Sequence, residues 1–232
     1  MIAATMSQPA RTSPATTPER ILEVAERLVQ TRGFNGFSYA DIAAALGITK
    51  ASLHYHFATK AELGRTLVAR YTEAFEGALQ KICAEQQDAH GRLRAYVKLY
   101  ADVISDGRMC LCGMVAAEYG TLPAPMQSAI RLFFEFNESW LARVLEQGSQ
   151  QGRLALRVAP RDVARMLVGA LEGEMLVART YGDAGRFESA ARLLLGQLDP
   201  AAAQEAAPRA AGRRRPITAR AKSATRRRSQ PR

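Results

Sequence analysis

Apolar residues recur along this chain at helical spacing almost from end to end. Ile21, Leu22, Ala25, Leu28 and Val29 follow one another at three- and four-residue intervals and form one buried stripe. Thr17-Pro18 opens this first helix as a capping residue followed by proline, Glu19 complements the helix dipole, and Gly33 ends it. A second segment starts at Ser38, with Asp41 three residues on. It turns Ile42, Ala43 and Leu46 inward, stops at Gly47, and is only about two turns long. A third short helix runs from Thr49 to near Phe57, and Lys60 opens a longer one reaching about Ala84. Helical patterns then cover 89–106, 113–120, 124–151, 160–181 and 186–198, with breaks at Gly107, Pro123 and Pro125, Gly152 and Pro160, and Gly182 and Gly185. No segment carries a convincing strand period and no internal repeat is present. The expected fold class is all-α, with about nine helices.

The two ends differ from this pattern. Residues 1–17 are rich in Ser, Thr, Pro and Ala without periodicity, which predicts a disordered arm. Residues 201–232 are similar but arginine-rich, which predicts a disordered tail. That tail changes how the charge is read. It holds ten Lys/Arg against one acid, Glu205, so +9 of the chain's net +10 lies there and the remainder is nearly neutral. A nucleic-acid reading of the body must therefore rest on motif and geometry. The apolar fraction of 47% is ample for a packed core. Three cysteines, Cys83, Cys110 and Cys112, make no secretory disulfide framework and suit a reducing compartment. The N-terminal residues lack the apolar run of a signal peptide, and no stretch approaches the roughly 20 apolar residues of a membrane span. The expectation is a cytoplasmic protein with no membrane partner.

Two short helices joined through Gly47 fit the mechanics of a helix-turn-helix. Ala43 is small where the helices cross, Gly47 suits a left-handed turn, and Ile48 and Leu53 supply apolar packing beneath it. In such a unit the second helix enters the major groove with its N-terminal residues at the base edges. Here that helix offers Thr49, Lys50, Ala51, Ser52, His54, Tyr55 and His56, with Ser38 at the start of the preceding helix. Lys50 and Ser52 can donate to bases or phosphate, the Ala51 methyl can meet a thymine methyl, and His54, Tyr55 and His56 can reach the backbone. His54 and His56 stand two apart and point to different sides of a helix, which argues against a metal pair, and no metal or other cofactor is expected.

The run FSYADIAAALGITKASLHYHFATKAEL, preceded by Gly33-Phe34, resembles the DNA-binding signature of the TetR/AcrR family of bacterial regulators. The match is continuous from about Pro18 to Leu67, and Tyr55-His56-Phe57 followed by Lys60 is its most specific part. The resemblance implies that Lys60 contacts phosphate at the start of the fourth helix. The chain has Ala51 where the family often has glycine and His54 where many members have tyrosine, departures that bear on operator sequence.

This reading divides the chain into a helix-turn-helix unit, 18–64, and a helical regulatory and dimerisation unit, 65–200. A palindromic operator needs two readers roughly 34 to 36 Å apart, hence a homodimer. The segments 124–151 and 160–181 match the position of the four-helix interface that TetR-like proteins use. On the first, Met126, Ile130, Phe133, Phe134, Leu141, Val144 and Leu145 form one apolar face, and Phe136 and Trp140 are read as a second. The second carries Val163, Met166, Leu167, Ala170, Leu171, Leu176 and Val177, with Gly169 and Gly173 permitting close approach. Burial of both faces within one subunit is the alternative.

The resemblance also implies an effector pocket in the body. Tyr96, Tyr100, Met114, Tyr119, Phe133, Phe136, Trp140 and Met175 are its candidate lining, although each also suits plain core packing. Glu118, Glu172 and Glu174 sit among apolar residues as candidate polar contacts. Cys110 and Cys112 flank Leu111 between Gly107 and Gly113, a pattern read as a loop whose exposed thiols would react with electrophiles or oxidants; two buried structural thiols are the competing reading.

The leading expectation is a sequence-specific transcriptional regulator, a repressor released from a palindromic operator by an unidentified small-molecule or electrophile effector. The alternative is a non-specific architectural DNA binder driven by the arginine tail through counterion release. No nucleophile, base and orienter set, phosphate loop or metal-spaced cluster marks an enzyme.

Overall fold

The protein is described here by a computed structural model that covers residues 16–201, so most of the expected arm and tail lies outside the described residues. Among the described residues there are nine α-helices, one 3-10 turn and no strand. In chain order the helices are α1 (Thr17–Arg32), α2 (Tyr39–Leu46), α3 (Lys50–His56), α4 (Lys60–Glu85), α5 (Ala89–Ser105), α6 (Leu111–Ala117), α7 (Ala124–Gln150), α8 (Pro160–Tyr181) and α9 (Ala184–Gly196). The 3-10 turn, Tyr119–Thr121, falls between α6 and α7.

Helices α1 to α3 form a small head. The cap of α1 is Thr16, one residue before the expected position: its backbone N–H donates to the Glu19 carboxylate at 2.6 Å, leaving Thr17 and Pro18 as the first helical residues. Ile21, Ala25 and Val29 have none of their surface exposed and pack with Ile42 and Leu53, also fully enclosed. Helix α4 then leaves the head. Its 26 residues span about 39 Å and carry Leu63 and Leu67 under the head and Phe75, Leu79 and Ile82 into the body. A Cβ at Gly64 would fall 2.6 Å from the Phe34 ring and 2.7 Å from the Met126 sulfur, so head, α4 and α7 close together only over glycine.

In the body α7 and α8 pack along each other, α9 lies on α8, and α5 crosses α7 and α9. Its centre is a set of rings. Phe75 meets Phe133 at 5.3 Å and Tyr96 at 6.1 Å between centroids, while Tyr96 stacks on Trp140 at 5.6 Å. The fully buried amide of Asn137 is satisfied within this set: it accepts from the Tyr96 hydroxyl and donates to the Phe133 carbonyl. Phe133 has none of its surface exposed, and its truncation to alanine should cost about 3–5 kcal/mol.

Head and body are joined a second time, away from α4. The Met109 N–H donates to the Gln30 carbonyl at 3.1 Å and Arg108 donates to the Gln30 side chain at 2.8 Å. Glu118 accepts the Asn35 N–H at 2.9 Å, Asn35 donates to Thr121 at 2.8 Å, and Arg179 of α8 donates to the Thr31 carbonyl. The segment around α6 thus holds the C-terminal end of α1 and the loop that follows it.

Candidate DNA-binding interface and effector core

The turn between α2 and α3 is set by Gly47, whose φ of 67° and ψ of 31° lie in the left-handed region that residues with a Cβ avoid. The chain reverses there, with the Gly47 and Ile48 N–H groups both donating to the Ala43 carbonyl. Each helix of the pair has its own cap. Ser38 donates its N–H and hydroxyl to Asp41 at 2.8 and 2.7 Å, and those two bonds hold the Asp41 carboxyl below its usual range. Thr49 accepts the Ser52 N–H at 3.1 Å and starts α3.

Helix α3 is fixed from beneath by Leu53, which is fully enclosed, and by Phe57 just after its end. Its far end is held by Tyr39, whose hydroxyl donates to the Phe57 carbonyl at 2.9 Å and whose ring lies 4.8 Å from that of His54. Burial pushes the Tyr39 phenol up to about 12, so it stays a donor. Anchored this way, α3 turns Lys50, Ala51, His54 and Tyr55 to solvent at positions i, i+1, i+4 and i+5, which form a single face. Tyr55 is 86% exposed, the most exposed large apolar side chain among the described residues. Ser52 and His56 are half-buried beside that face, and Thr49 and Ser38 are exposed at the caps. Between α2 and α3 runs an open groove of about 440 Å³ lined by Phe37, Ser38, Tyr39, Lys50, His54 and Lys60.

Lys60 holds a position that sequence could not reveal. Its ammonium donates to the Phe37 carbonyl and lies 4.2 and 4.8 Å from the centroids of the Phe37 and Phe34 rings. Desolvation lowers its pKa, while Glu118 and Asp41 oppose that shift. One donor is committed to the loop before α2 and two remain for another acceptor. Tyr39 was missed as a positioning residue because its partner, the Phe57 carbonyl, lies 18 residues away.

The structure sorts the candidate effector residues into distinct places. Tyr96, Tyr100, Phe133, Trp140, Cys110, Cys112 and Met175 are buried in the body, and Phe136 is partly buried against it. Trp140, read from sequence as part of a second face of α7, is only 5% exposed and stacks inside its own subunit. Tyr119 is not with them: it lies on the 3-10 turn at the surface, where its hydroxyl accepts from Arg131 at 2.8 Å. Met114 is half-buried and its sulfur meets Arg179 at the junction with the head.

The cysteines also differ from expectation. Helix α6 begins at Leu111, two residues earlier than the pattern suggested, so Cys110 caps it and Cys112 is inside it. Both thiols are buried, and desolvation followed by the nearby Glu172 charge pushes each well above the usual thiol range. These are poor nucleophiles in the folded chain, the opposite of exposed loop thiols. Glu172 is their neighbour, and burial raises its own pKa from 4.5 to about 7.

Two capped short helices crossing at a left-handed glycine, with an open face on the second, make this a helix-turn-helix DNA-binding regulator. The model for bacterial regulatory proteins of the tetR family matches residues 21–65, and the model for the tetracyclin repressor-like C-terminal domain matches residues 65–194. The chain belongs to the TetR family and is a DNA-binding transcriptional regulator. A crystal structure of a TetR-family transcriptional regulator from Agrobacterium tumefaciens is 35% identical, with a TM-score of 0.76, over 78% of this chain and 97% of that one. The HTH-type transcriptional repressor DhaR from a Mycobacterium strain is 25% identical over 168 residues, 70% of this chain and 83% of DhaR. The nucleoid occlusion factor SlmA of Photobacterium profundum is 26% identical over 159 residues, 68% of this chain and 81% of SlmA. No helix among the described residues is long and apolar enough to cross a membrane.

Proposed function

We propose that the chain is a homodimeric repressor that binds a palindromic operator through α3 and is released by a small molecule held in the body. Residues 18–64 act as the reader, and residues 65–200 carry dimerisation and effector binding. Lys50, Ala51, His54 and Tyr55 face the major groove, while Ser38, Thr49, Ser52, His56 and Lys60 serve the flanking phosphates. The observation that carries this reading is the open face of α3, above all Tyr55, which has no intramolecular reason to stand exposed beside a basic residue.

The dimer reading rests on α8 and α7. Met166, Leu176 and Val177 are 57%, 49% and 44% exposed on α8, Gly169 and Gly173 have open space where a Cβ would be, and Leu132 of α7 is 64% exposed. On α8 these positions follow a spacing of three and four residues and form an apolar stripe without a partner in the single chain.

Selection of bound duplexes from a random pool tests the proposal. Enriched sites should be inverted repeats with half-site centres about one helical turn apart, and Leu176→Glu should yield a monomer by light scattering that no longer selects them. A chain ending at residue 201 should select the same site. Loss of selection on that truncation alone would favour an architectural DNA binder that works through the tail.

A further inference from the structure

Helix α6 is seven residues long and meets two different parts of the molecule. At its start Cys110, Leu111 and Cys112 are buried in the body, none with more than 2% of its surface exposed. At its end Glu118, the residue that follows the helix, reaches the loop between α1 and α2. About 10 Å of helix therefore separates the packed interior from the segment that leads into the reader.

The contact at that end is a closed set of bonds. The Glu118 Oε2 accepts the Asn35 N–H at 2.9 Å. The Asn35 side-chain amide donates to the Thr121 hydroxyl at 2.8 Å, and that hydroxyl donates to the Glu118 carbonyl at 2.9 Å. Gly33 makes the approach possible: its φ is 86°, and a Cβ there would overlap the other carboxylate oxygen, Oε1.

What the loop carries gives this contact its weight. Phe34 and Phe37, before and after Asn35, are buried, and their rings meet edge to face at 6.0 Å. The Phe37 carbonyl takes the Lys60 ammonium, and the next residue, Ser38, caps α2. Asn35 thus lies three residues before the helix-turn-helix begins. The Glu118 charge also favours the ammonium form of Lys60 against its desolvation. The ties at Gln30 and Thr31 hold α1, whereas Glu118 and Thr121 hold the segment that feeds α2.

We propose that Glu118 is a positioning residue for operator recognition: through Asn35 it fixes the orientation of the reader on the body, and so the half-site spacing that the dimer accepts. The fold of the reader itself does not depend on this bond, since Leu53, Phe57 and Tyr39 hold α3 from within the head. Loss of the bond leaves base recognition intact and relaxes the spacing. The proposal rests on the palindromic-operator reading above and names a residue that sets the geometry of that recognition.

Selection of duplexes from a random pool by full-length wild type, Glu118→Ala and Glu118→Gln tests it. The wild type should enrich one spacing. Glu118→Ala should enrich the same half-site sequence at several spacings and bind the wild-type site about ten-fold more weakly, because a hydrogen bond to a carboxylate no longer preorganises the reader. It should bind a duplex carrying a single half-site as tightly as wild type does. Glu118→Gln keeps a side-chain oxygen that accepts the Asn35 N–H and should restore the single spacing. A Glu118→Ala chain that keeps one unchanged spacing, changes the half-site sequence or is melted by circular dichroism overturns the proposal, as does a Gln variant that behaves like Ala. A wild type that enriches no inverted repeat refutes the operator reading itself, and the role of Glu118 falls with it.

Discussion

Glu172 makes the stability of this protein depend on pH in a defined direction. Its pKa is about 7 in the folded chain against an ordinary 4.5, mainly because burial disfavours the charged form. Below pH 4.5 the group is protonated in both states and contributes no slope. Between 4.5 and 7 the unfolded chain has released the proton while the folded chain still holds it, so unfolding gains favour as pH rises, and the loss levels off above about 7. The shift corresponds to about 3 kcal/mol over the whole window. Cys110, Cys112, Tyr71, Tyr96 and Tyr100 face the same carboxyl, and all have pKa values raised above their ordinary alkaline ones, so they do not titrate in this interval. Glu172→Gln removes the ionising group at nearly constant shape. Urea unfolding of both proteins at fixed protomer concentration from pH 5 to 8 should show the variant gaining on the wild type by about 2–3 kcal/mol, nearly all of it before pH 7.5. A difference between the two that is flat over this range, or that moves the other way, refutes the assignment of a buried, unpaired carboxyl.

Other consequences can be read from single positions. Tyr55→Ala should leave the unfolding free energy within about 0.5 kcal/mol of wild type, because the ring is exposed, while weakening operator binding in a gel-shift titration. Lys60→Met should destabilise the head by about 1 kcal/mol through loss of the Phe37 bond and the ring contacts. If Lys60 also meets a phosphate, the same variant should lower the salt slope of DNA binding by about 0.9. A disulfide-exchange reagent should titrate one thiol per folded chain, Cys83, and all three only in denaturant. Rapid labelling of three thiols in the native protein would contradict the buried placement of Cys110 and Cys112.

The helices were legible because their apolar spacing is regular and their ends carry Ser, Thr, Pro and Gly signals. The reading failed where a side chain's fate depends on a distant partner. Gly113 looked like part of a loop beside Cys110-Leu111-Cys112, yet it lies inside α6, where the missing side chain makes space for Glu172 nearly sixty residues on. Trp140 was placed on a second face of α7, although it stands seven residues from Phe133 and therefore on the same side of the helix. The exposed side chains that do lack an internal partner, Leu132, Met166, Leu176 and Val177, could be told from the buried ones only once α5 and α9 had covered the rest. Lys60 reads as a phosphate ligand from its family position, and its contact with the Phe37 carbonyl depends on the path of the loop before α2.

The ties from Met109, Arg108, Glu118 and Arg179 to the end of α1 have a mechanical consequence. A reading unit suspended only from α4 would swing freely when that long helix tilts. Bolted also to α6 and α8, it is carried with those helices, and a tilt of α4 alone would have to stretch the bonds at Gln30, Thr31 and Asn35 before the helix-turn-helix could turn against the body.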